Sequence, residues 1–450
     1  MRAPGTDRGR VLLVLALAVA VTVFTATVPL LRGSFDLRVY HGTVNGWLHH
    51  GGRIYDYRMP GTAYGFTYPP FAAVVMAPMA LVGVRTAIAL GLLLNLAALA
   101  AVLRLLAGAR WRRHGWFGGA LACCLLALFE PLRDTFSFGQ VNLVLLALVL
   151  TDLRLITSGR ERLAGVGIGL ATAVKLTPAL FIGLLLVTRR WRAAALASAV
   201  TAAATGFAAC LDPAASRFYW TDALWDTGRV GRAEYVSNQS LQGVLARLGD
   251  PGRGLWAAAA AVVLGVWALR TRRAASRGDW TAAFALTGLT ACLVSPVTWV
   301  HHLVWLLPAF AVLLRAGRTR VAAALYAVLC TSVVWLWTGD ASGVDGFLGS
   351  NAYVWITLGL LLWLPSGQLP SARPPLDRRT MPTAQAPRPA APAIAQVCGQ
   401  PGPSGAGAGA ATGTEVGPAC GAGFSPSSEP TGSTRPAAEK PQSSSERASS

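Results

Sequence analysis

The sequence predicts an all-α protein, a polytopic transmembrane helical bundle with about 12 membrane segments. Three observations lead to this fold class. Hydrophobic residues make up 53% of the 450-residue chain, and charged residues only 13%. That charged share is about half of what an ordinary soluble domain carries. The apolar residues form runs of roughly membrane-spanning length, and short arginine clusters separate the runs.

The positive charge of the chain indicates a membrane partner. A formal net charge of +19 would suit nucleic acid if the basic residues formed one patch. They lie instead between apolar runs, where positive charge marks cytoplasmic loops and attracts anionic lipid. We therefore expect membrane lipids as partners and no nucleic acid. The seven cysteines show neither metal-ligand spacing nor a disulfide framework, and we expect no metal or cofactor.

The first element is a membrane anchor. Residues 1–10 carry three arginines and precede an apolar run, residues 11–31, that is long enough to cross a bilayer. Basic residues before a span place the N-terminus in the cytoplasm. A signal peptide is the rival interpretation, but no clear small-residue cleavage site follows the run. We therefore predict an uncleaved first span and an extracytoplasmic first loop over residues 32–69.

The later apolar runs alternate with arginine clusters as the positive-inside rule requires. Residues 69–84 contain three prolines and are too short to cross, so they are predicted as an interfacial or re-entrant helix. Residues 163–187 have basic flanks on both sides and are interrupted at Lys175 and Pro178. We expect this run to go out and back within a protein-lined cavity. Further spans are predicted at residues 85–106, 116–130, 139–153, 254–269, 281–297, 302–314, 321–337 and 353–364, with one more ending near Cys210.

Two further segments complete the predicted organisation. Residues 212–253 form a second large polar loop on the outer face, where the turn at residues 129–142 also lies. From residue 366 onward the chain is rich in Pro, Ala, Gly, Ser and Thr, and it cannot bury enough apolar surface to offset its ordering entropy. We predict a multi-span domain over residues 11–365, followed by a disordered cytoplasmic tail over residues 366–450.

Asp36 is the first candidate for chemistry. It follows the first span by a few residues, in the stretch FDLRVY. A carboxylate at the hydrocarbon boundary is partly desolvated, which raises its basicity and suits a general base that takes a proton from a hydroxyl. The same carboxylate could simply cap or solvate the loop. Asp56 and Asp134 are the reserve candidates.

Other polar groups converge on the same predicted face. Lys175 lies between apolar residues, and its cation could bind a phosphate or snorkel to the interface. His301 and His302 could donate hydrogen bonds to a phosphate or a sugar, or could be interface residues beside an aromatic belt. Gln140 and Asn142 could bind sugar hydroxyls or join helices.

Several common chemistries have no support in the sequence. It contains no Walker loop, no GxGxxG ahead of a helix, no HExxH and no GxSxG. Residues 238–240 match an N-glycosylation sequon, but the Ala, Arg and Gly bias is typical of a high-GC bacterium, so we discount glycosylation. Nucleotide, zinc and serine-hydrolase sites are therefore not expected.

Six stretches together resemble family 87 of the GT-C glycosyltransferases, polytopic mannosyltransferases of actinobacteria. The stretches occur in the family's order within residues 11–365, and the tail lies outside the resemblance. They are FDLRVY, FTYPPFAAVVMAPMALV, GQVNLVLLALVLTDL, VKLTPALF, NQSLQGVLARL and SPVTWVHHLVWLLPA. The resemblance implies a GT-C-type bundle in the plasma membrane, with both termini cytoplasmic and the active site on the extracytoplasmic face.

The resemblance also implies an activity. It would be inverting transfer of mannose from a polyprenyl-phosphate-linked donor to a glycolipid or lipoglycan acceptor, forming an α-mannoside. Asp36 would be the general base. The residues expected to bind substrate are Tyr68, Gln140, Asn142, Lys175, Asn238, Gln239, His301 and His302. Val300 departs from the pattern, because relatives are expected to carry an acidic residue there, and the first loop is unusually rich in histidine.

A different class of protein stays open from the sequence alone. A transporter or flippase of a lipid-linked sugar would also need a polar cavity among many spans. It should show internal pseudo-symmetry and polar groups spread across the bilayer midplane. Here the polar groups gather on one predicted face, which favours the enzyme.

Overall fold

The computed structural model describes residues 6–27, 33–108, 115–249 and 252–367. These ranges are helical, with one isolated antiparallel bridge between Arg58 and Gly65 and no strand. The α-helices in them are α1 Asp7–Thr27, α2 Phe35–His49, α3 Pro70–Met76, α4 Val84–Ala107, α5 Gly115–Leu128, α6 Glu130–Phe138, α7 Asn142–Thr157, α8 Val166–Val174, α9 Ala179–Val187, α10 Trp191–Leu211, α11 Pro213–Phe218, α12 Leu241–Arg247, α13 Arg253–Ser276, α14 Trp280–Val294, α15 Leu307–Arg315, α16 Thr319–Cys330, α17 Gly343–Ser350 and α18 Ala352–Trp363. The predicted tail lies outside the described residues, apart from its first two positions.

The predicted membrane bundle is confirmed in its class. Within the described ranges, α1, α4, α10 and α13 are each long and apolar enough to cross a bilayer. Two bent helix pairs, α5 with α6 and α17 with α18, raise this number to six if each pair is one span. The other apolar runs form shorter helices, so the total of about 12 segments stays a prediction.

Helix α2 differs from the sequence prediction, which had only a loop here. Its buried side chains Leu37, Tyr40 and Val44 recur at helical spacing and form one apolar stripe. His41 in the middle of the helix and His49 at its C-terminal end hold it in place, because their Nε2 atoms lie 2.9 Å and 3.1 Å from backbone carbonyl oxygens just before α4. The stripe is narrow, and the helix contains polar residues and two glycines, so the sequence here is also typical of a loop.

Helix α6 is a second difference, because the sequence predicted an outward turn at this place. The axis bends by 76° between α5 and α6, at Phe129, and Pro131 follows in the first turn of α6. Proline is compatible with a helix start, since the first N–H groups have no partner within the helix. Gly139 ends α6 in the left-handed conformation, with φ 73°.

The predicted interruption of residues 163–187 is confirmed. Helix α8 ends at Val174, Lys175 is extended with φ −150° and ψ 132°, and α9 begins after Pro178. The proline disfavours helical backbone at the preceding residue, which explains the position of the break. The polar side chain of Lys175 therefore lies at a helix end rather than on a continuous helix.

Helix α14 lies at the centre of the molecule. All residues from 282 to 293 are buried, and the helix packs against α9, α13, α15 and α18. Most of them are small, so neighbouring backbones approach closely: a Cβ on Gly288 would lie 3.3 Å from the carbonyl oxygen of Trp305. The segment after α14 is consequently held in a fixed position.

Candidate active site

Four segments that are distant in the sequence meet at one cavity of about 740 Å³. They are the first turn of α2, the turn between α6 and α7, the break between α8 and α9, and the segment that follows α14. Each is an end of a helix, where backbone groups lack helical partners and polar side chains gather. The residues singled out from the sequence that line the cavity are Asp36, Tyr68, Gln140, Lys175, His301 and His302.

Asp36 lies in the first turn of α2, partly buried in the cavity wall. Its Oδ2 accepts a hydrogen bond from Nε2 of Gln140 at 2.5 Å, and Oε1 of Gln140 accepts one from the Tyr68 hydroxyl at 2.8 Å. The Tyr68 hydroxyl in turn accepts one from the Tyr40 hydroxyl at 3.0 Å. This chain of bonds fixes the Gln140 amide with its NH₂ group toward the carboxylate.

The surroundings of Asp36 give it the properties of a general base. Burial raises the pKa of its carboxyl to about 6, while the Gln140 hydrogen bond and, whenever Lys175 is protonated, the charge of Lys175 act in the opposite direction. The carboxylate is therefore ionised at neutral pH but more basic than an ordinary aspartate. In the part of the chain that the structure describes, Gln140 is the one side chain that donates to Asp36, so Oδ1 is open to a substrate hydroxyl.

Lys175 lies on the other side of Tyr68, buried in the break between α8 and α9. Its Nζ is 3.0 Å from Oδ1 of Asn142, 3.4 Å from the Tyr68 hydroxyl and 2.8 Å from Nε2 of His302. The Nδ2 of Asn142 lies 3.4 Å from Oε1 of Gln140. Asp36 and Lys175 thus belong to one hydrogen-bonded network.

The hydrogen-bond directions locate the protons of this network. The backbone N–H of Trp299 donates to Nδ1 of His302 at 3.1 Å. A neutral imidazole that accepts at Nδ1 carries its proton on Nε2, which here faces Lys175. An ammonium group has no lone pair to accept this proton, whereas a neutral amine has one lone pair and two N–H groups. A neutral Lys175 satisfies all three contacts, because it accepts from His302 and donates to Asn142 and Tyr68.

His301 is the inner residue of the histidine pair. Its ring contacts Phe138, with centroids 5.2 Å apart, and meets the ring of His302 edge to face at 4.6 Å. Its carbonyl oxygen accepts hydrogen bonds from the hydroxyl of Thr135 and from Nδ2 of Asn142. His301 therefore joins α6 and α7 to the segment after α14 and holds His302 against Lys175.

The structure does not bring Asn238 and Gln239 to the cavity lining. Both are fully buried. The Asn238 amide donates to carbonyl oxygens of Ala233 and Pro296 and accepts from the N–H of Thr298. The Gln239 amide donates to two carbonyl oxygens and accepts from two backbone N–H groups at the start of α18. These amides hold backbone segments in place behind the cavity.

The reserve carboxylates also lie away from the cavity lining. Asp56 is exposed, and its Oδ2 accepts a hydrogen bond from the backbone N–H of Arg53. Asp134 is fully buried in α6. No group of three or more His, Cys, Asp or Glu side chains suited to a metal ion occurs among the described residues.

One flank of the cavity is apolar. Leu176, Leu180 and Gly183 line it from the break and from α9, and Ala291 and Val294 line it from the end of α14. Other lining residues, Asp36 and Lys175 among them, belong to the polar network. The cavity can therefore hold an amphiphile, with its head group at the network and its hydrocarbon chain along α9 and α14.

Several lining residues were not singled out from the sequence. They are aromatic or basic residues of the second loop and the segments near it, among them Tyr219, Arg229, Tyr235 and Trp335. Aromatic and basic residues are common in any membrane-facing loop, so composition alone did not mark them. Their role depends on contacts across long sequence separations, which no local pattern contains.

The chain was compared with known proteins. The model of glycosyltransferase family 87 matches residues 66–296. A polyprenol-phosphate-mannose-dependent alpha-(1-2)-phosphatidylinositol pentamannoside mannosyltransferase of Mycobacterium tuberculosis is 35% identical over 316 residues, 68% of this chain and 72% of that protein. A phosphatidylinositol mannoside mannosyltransferase of the same species is 35% identical over 326 residues, 67% of this chain and 75% of that protein. Its counterpart in Mycolicibacterium smegmatis is 34% identical over 333 residues, 67% of this chain and 74% of that protein. No solved structure matched.

Proposed function

The chain belongs to glycosyltransferase family 87, and on this premise we propose that it transfers mannose from polyprenol-phosphate-mannose to a phosphatidylinositol mannoside or a related lipid-linked acceptor. The observation that carries the proposal is the single network in which Asp36 and Lys175 face one cavity. It supplies a base and a phosphate-binding group a few hydrogen bonds apart. The transporter alternative has no such observation in its favour, and the relatives named above are mannosyltransferases.

The proposed reaction is a single displacement with inversion. Asp36 Oδ1 takes the proton of an acceptor hydroxyl, and the oxygen attacks C1 of the mannose. The bond between C1 and the phosphate oxygen breaks on the opposite face, and the polyprenyl phosphate leaves with the electron pair. A buried carboxylate with a raised pKa suits the first step, and hydrogen-bond donors at the phosphate suit the last.

Lys175 and His302 are proposed to bind the donor phosphate. Both residues line the cavity, and Nε2 of His302 lies 2.8 Å from Nζ of Lys175. An arriving phosphate would accept a hydrogen bond from Nε2–H of His302, which frees the lone pair of Lys175 to take up a proton from solvent. The resulting ammonium group would balance the charge of the leaving phosphate. The hydrocarbon chain of the donor would lie along Leu180 and Val294.

The active site is proposed to face the extracytoplasmic side. The helix ends that form the cavity are opposite to the ends that carry arginine clusters: α7 begins at the cavity and ends near Arg154, and α9 begins there and ends before Arg190. Helix α14 begins next to the cluster at residues 270–277 and ends at the cavity. Since arginine clusters mark the cytoplasmic side, the cavity would open outward, with the N-terminus inside.

The test uses membranes that contain the wild type, Asp36→Asn or Asp56→Asn, supplied with radiolabelled polyprenol-phosphate-mannose. Loss of the base should lower transfer to glycolipid by about 10²- to 10⁴-fold in Asp36→Asn. Asp56→Asn is the matched control, because Asp56 is exposed and does not line the cavity. Thin-layer chromatography of the lipids measures the product.

Two outcomes would contradict the proposal. Full transfer by Asp36→Asn would remove the base assignment. Movement of labelled carrier across vesicle membranes without any mannosylated product would favour the transporter instead.

A further inference from the structure

Two arginines from distant parts of the chain meet at one backbone carbonyl. Nη1 of Arg58 lies 3.3 Å from the carbonyl oxygen of Tyr55, and Nη2 of Arg229 lies 3.4 Å from the same oxygen. Arg58 belongs to the segment between α2 and α3, and Arg229 to the loop between α11 and α12. Arg229 lines the cavity, as do Tyr64 and Thr227 beside it. We call Arg58 and Arg229 the arginine pair.

The charges of the arginine pair are not balanced by carboxylates. In the ranges that the structure describes, the ion pairs involve other arginines. The charge of Asp226 acts on Arg229 without an ion pair, and Oδ1 of Asp226 already accepts a hydrogen bond from the N–H of Gly228. Burial and then the positive charge of Arg58 lower the pKa of the Arg229 guanidinium. Like charges in contact are unfavourable unless an anion joins them.

Both guanidinium groups have contacts that order them, although Arg58 is exposed. The Arg229 guanidinium carbon lies 5.3 Å from the ring centroid of Phe218, and that ring is 5.5 Å from the ring of Tyr55. Arg58 folds over Gly65, where a Cβ would lie 2.4 Å from its Nη1. Side chains that are already ordered lose less entropy when they bind a ligand. The pair therefore has the features of a preformed anion site.

The neighbours of the arginine pair indicate that it lies at the level of the lipid head groups. Trp220 and Trp225 lie in the segment just before Arg229, and both are exposed, Trp225 by 69%. Exposed tryptophans of a membrane protein gather at the membrane–water interface, where phosphates of lipids also lie. Guanidinium groups present paired N–H donors that match phosphate oxygens.

We propose that Arg58 and Arg229 bind the phosphodiester of the acceptor phospholipid. The inference rests on the proposed function, in which two phosphate-bearing lipids must enter one cavity. Lys175 is buried and His302 is partly buried, and both serve the donor phosphate, which leaves the more exposed arginine pair for the phosphate of the acceptor. The acceptor would be anchored there by its phosphodiester, with its sugar hydroxyl reaching Asp36.

The test varies donor and acceptor concentrations separately for Arg58→Gln, Arg229→Gln and Arg229→Lys. We expect KM for the acceptor to rise about tenfold in the Gln variants. The rise should be smaller in Arg229→Lys, which keeps the positive charge but loses the paired N–H donors of the guanidinium group. KM for the donor should change less than about twofold, because the donor phosphate binds elsewhere. Arg232→Gln is the matched control, since exposed Arg232 is ion-paired with Glu234.

A binding measurement separates this proposal from the proposed function. The wild type and the Arg229→Gln variant are placed in nanodiscs, and phosphatidylinositol mannoside binding is measured without any donor. Weaker binding by the variant supports the anion site even if no mannose transfer is found. Unchanged binding, or a rise in donor KM instead of acceptor KM, would overturn the assignment. Arg58→Gln provides the same readouts at an exposed position if Arg229→Gln does not fold.

Discussion

The carboxyl group of Asp36 is subject to opposing influences. Burial raises its pKa, and the Gln140 amide lowers it, with a net value of about 6. An ordinary aspartate would be a weaker base, and a carboxyl without the amide would stay protonated to higher pH. Gln140 is in turn oriented by Tyr68. The basicity of Asp36 therefore depends on a residue 104 positions away.

The pH dependence of transfer tests this balance. The base must be deprotonated, so kcat/KM should be constant near neutral pH and fall about tenfold per pH unit below about 6. Replacing Gln140 by Leu removes an interaction that lowers the pKa of Asp36, so the acidic limb should move to higher pH. The measurement is a pH series of initial rates for both proteins. An acidic limb that keeps its position in Gln140→Leu would assign the limb to another group.

Stability should respond to Asp36 in the opposite direction from activity. The folded-state pKa lies above the ordinary value of 3.8, so the folded protein holds the proton more tightly than the unfolded chain. Stability from this group is present below about pH 4 and is lost as pH rises through about 6. At neutral pH, Asp36→Asn removes a buried charge and should melt no lower than the wild type. A large drop in its melting temperature would mean that its lost activity reflects unfolding.

Functional candidates could be predicted from the sequence where a polar or ionisable residue lies next to apolar residues. Asp36 and Lys175 stand out because an ionisable group beside apolar residues is costly. Gln140, His301 and His302 were predicted as candidate site residues for the same reason, because each is a polar side chain at the end of an apolar run. Asn238 and Gln239 carry equally polar amides, and the sequence cannot distinguish an amide that faces a cavity from one that holds backbone.

At the level of elements, the short helix after the first loop and the break at Lys175 were predicted, whereas helices α2 and α6 were not. The interruption at Lys175 follows from Pro178 and from basic flanks on both sides. Helix α2 was missed because its apolar stripe is narrow and its glycines suggest a loop. Gly42 has a packing reason instead: a Cβ there would lie 2.1 Å from the ring of Tyr57. A close approach of this kind is visible only once the fold is known.

Gln239 provides a test at this scale. Its amide makes hydrogen bonds to carbonyl oxygens of Val236 and Ser350 and to N–H groups of Tyr353 and Val354. Gln239→Leu leaves these buried groups unpaired, which should cost at least about 2 kcal/mol. We expect an apparent melting temperature in detergent lower by about 3 °C or more.

The kinetics of Gln239→Leu complete that test. The folded fraction should keep wild-type KM values for both substrates, because Gln239 does not line the cavity. Normal melting combined with a raised KM would instead restore the direct substrate role that the sequence first suggested. Asn142→Ala is the useful contrast, since it removes a partner of Lys175 and should affect donor KM.

At the level of the whole molecule, the arrangement of charge predicts an orientation. The cavity-forming helix ends lie on one side, and arginine clusters mark the other ends of the same helices. The sequence predicted this alternation because arginine clusters are local in the chain. The number of membrane crossings was harder to predict from the sequence. Several apolar runs form short or bent helices, so one run does not always correspond to one crossing.

Thiol labelling tests the orientation. Thr62 and Ser276 are exposed and lie in the first loop and at the end of α13. In a variant without accessible native cysteines, Thr62→Cys should react with a membrane-impermeant maleimide in intact cells. Ser276→Cys should react only after the cells are opened. The reverse pattern would place the active site in the cytoplasm.

The buried central helix has a consequence for how the chain can vary in length. A residue inserted within α14 turns every following side chain by about 100° and shifts it by about 1.5 Å. Residues 282–293 are buried on every face of the helix. Such a shift would therefore disrupt packing on all of them. It would also displace the segment that carries His302. We therefore expect insertions and deletions to be tolerated only in the loops, and the number of residues between the start of α14 and the cavity to be fixed.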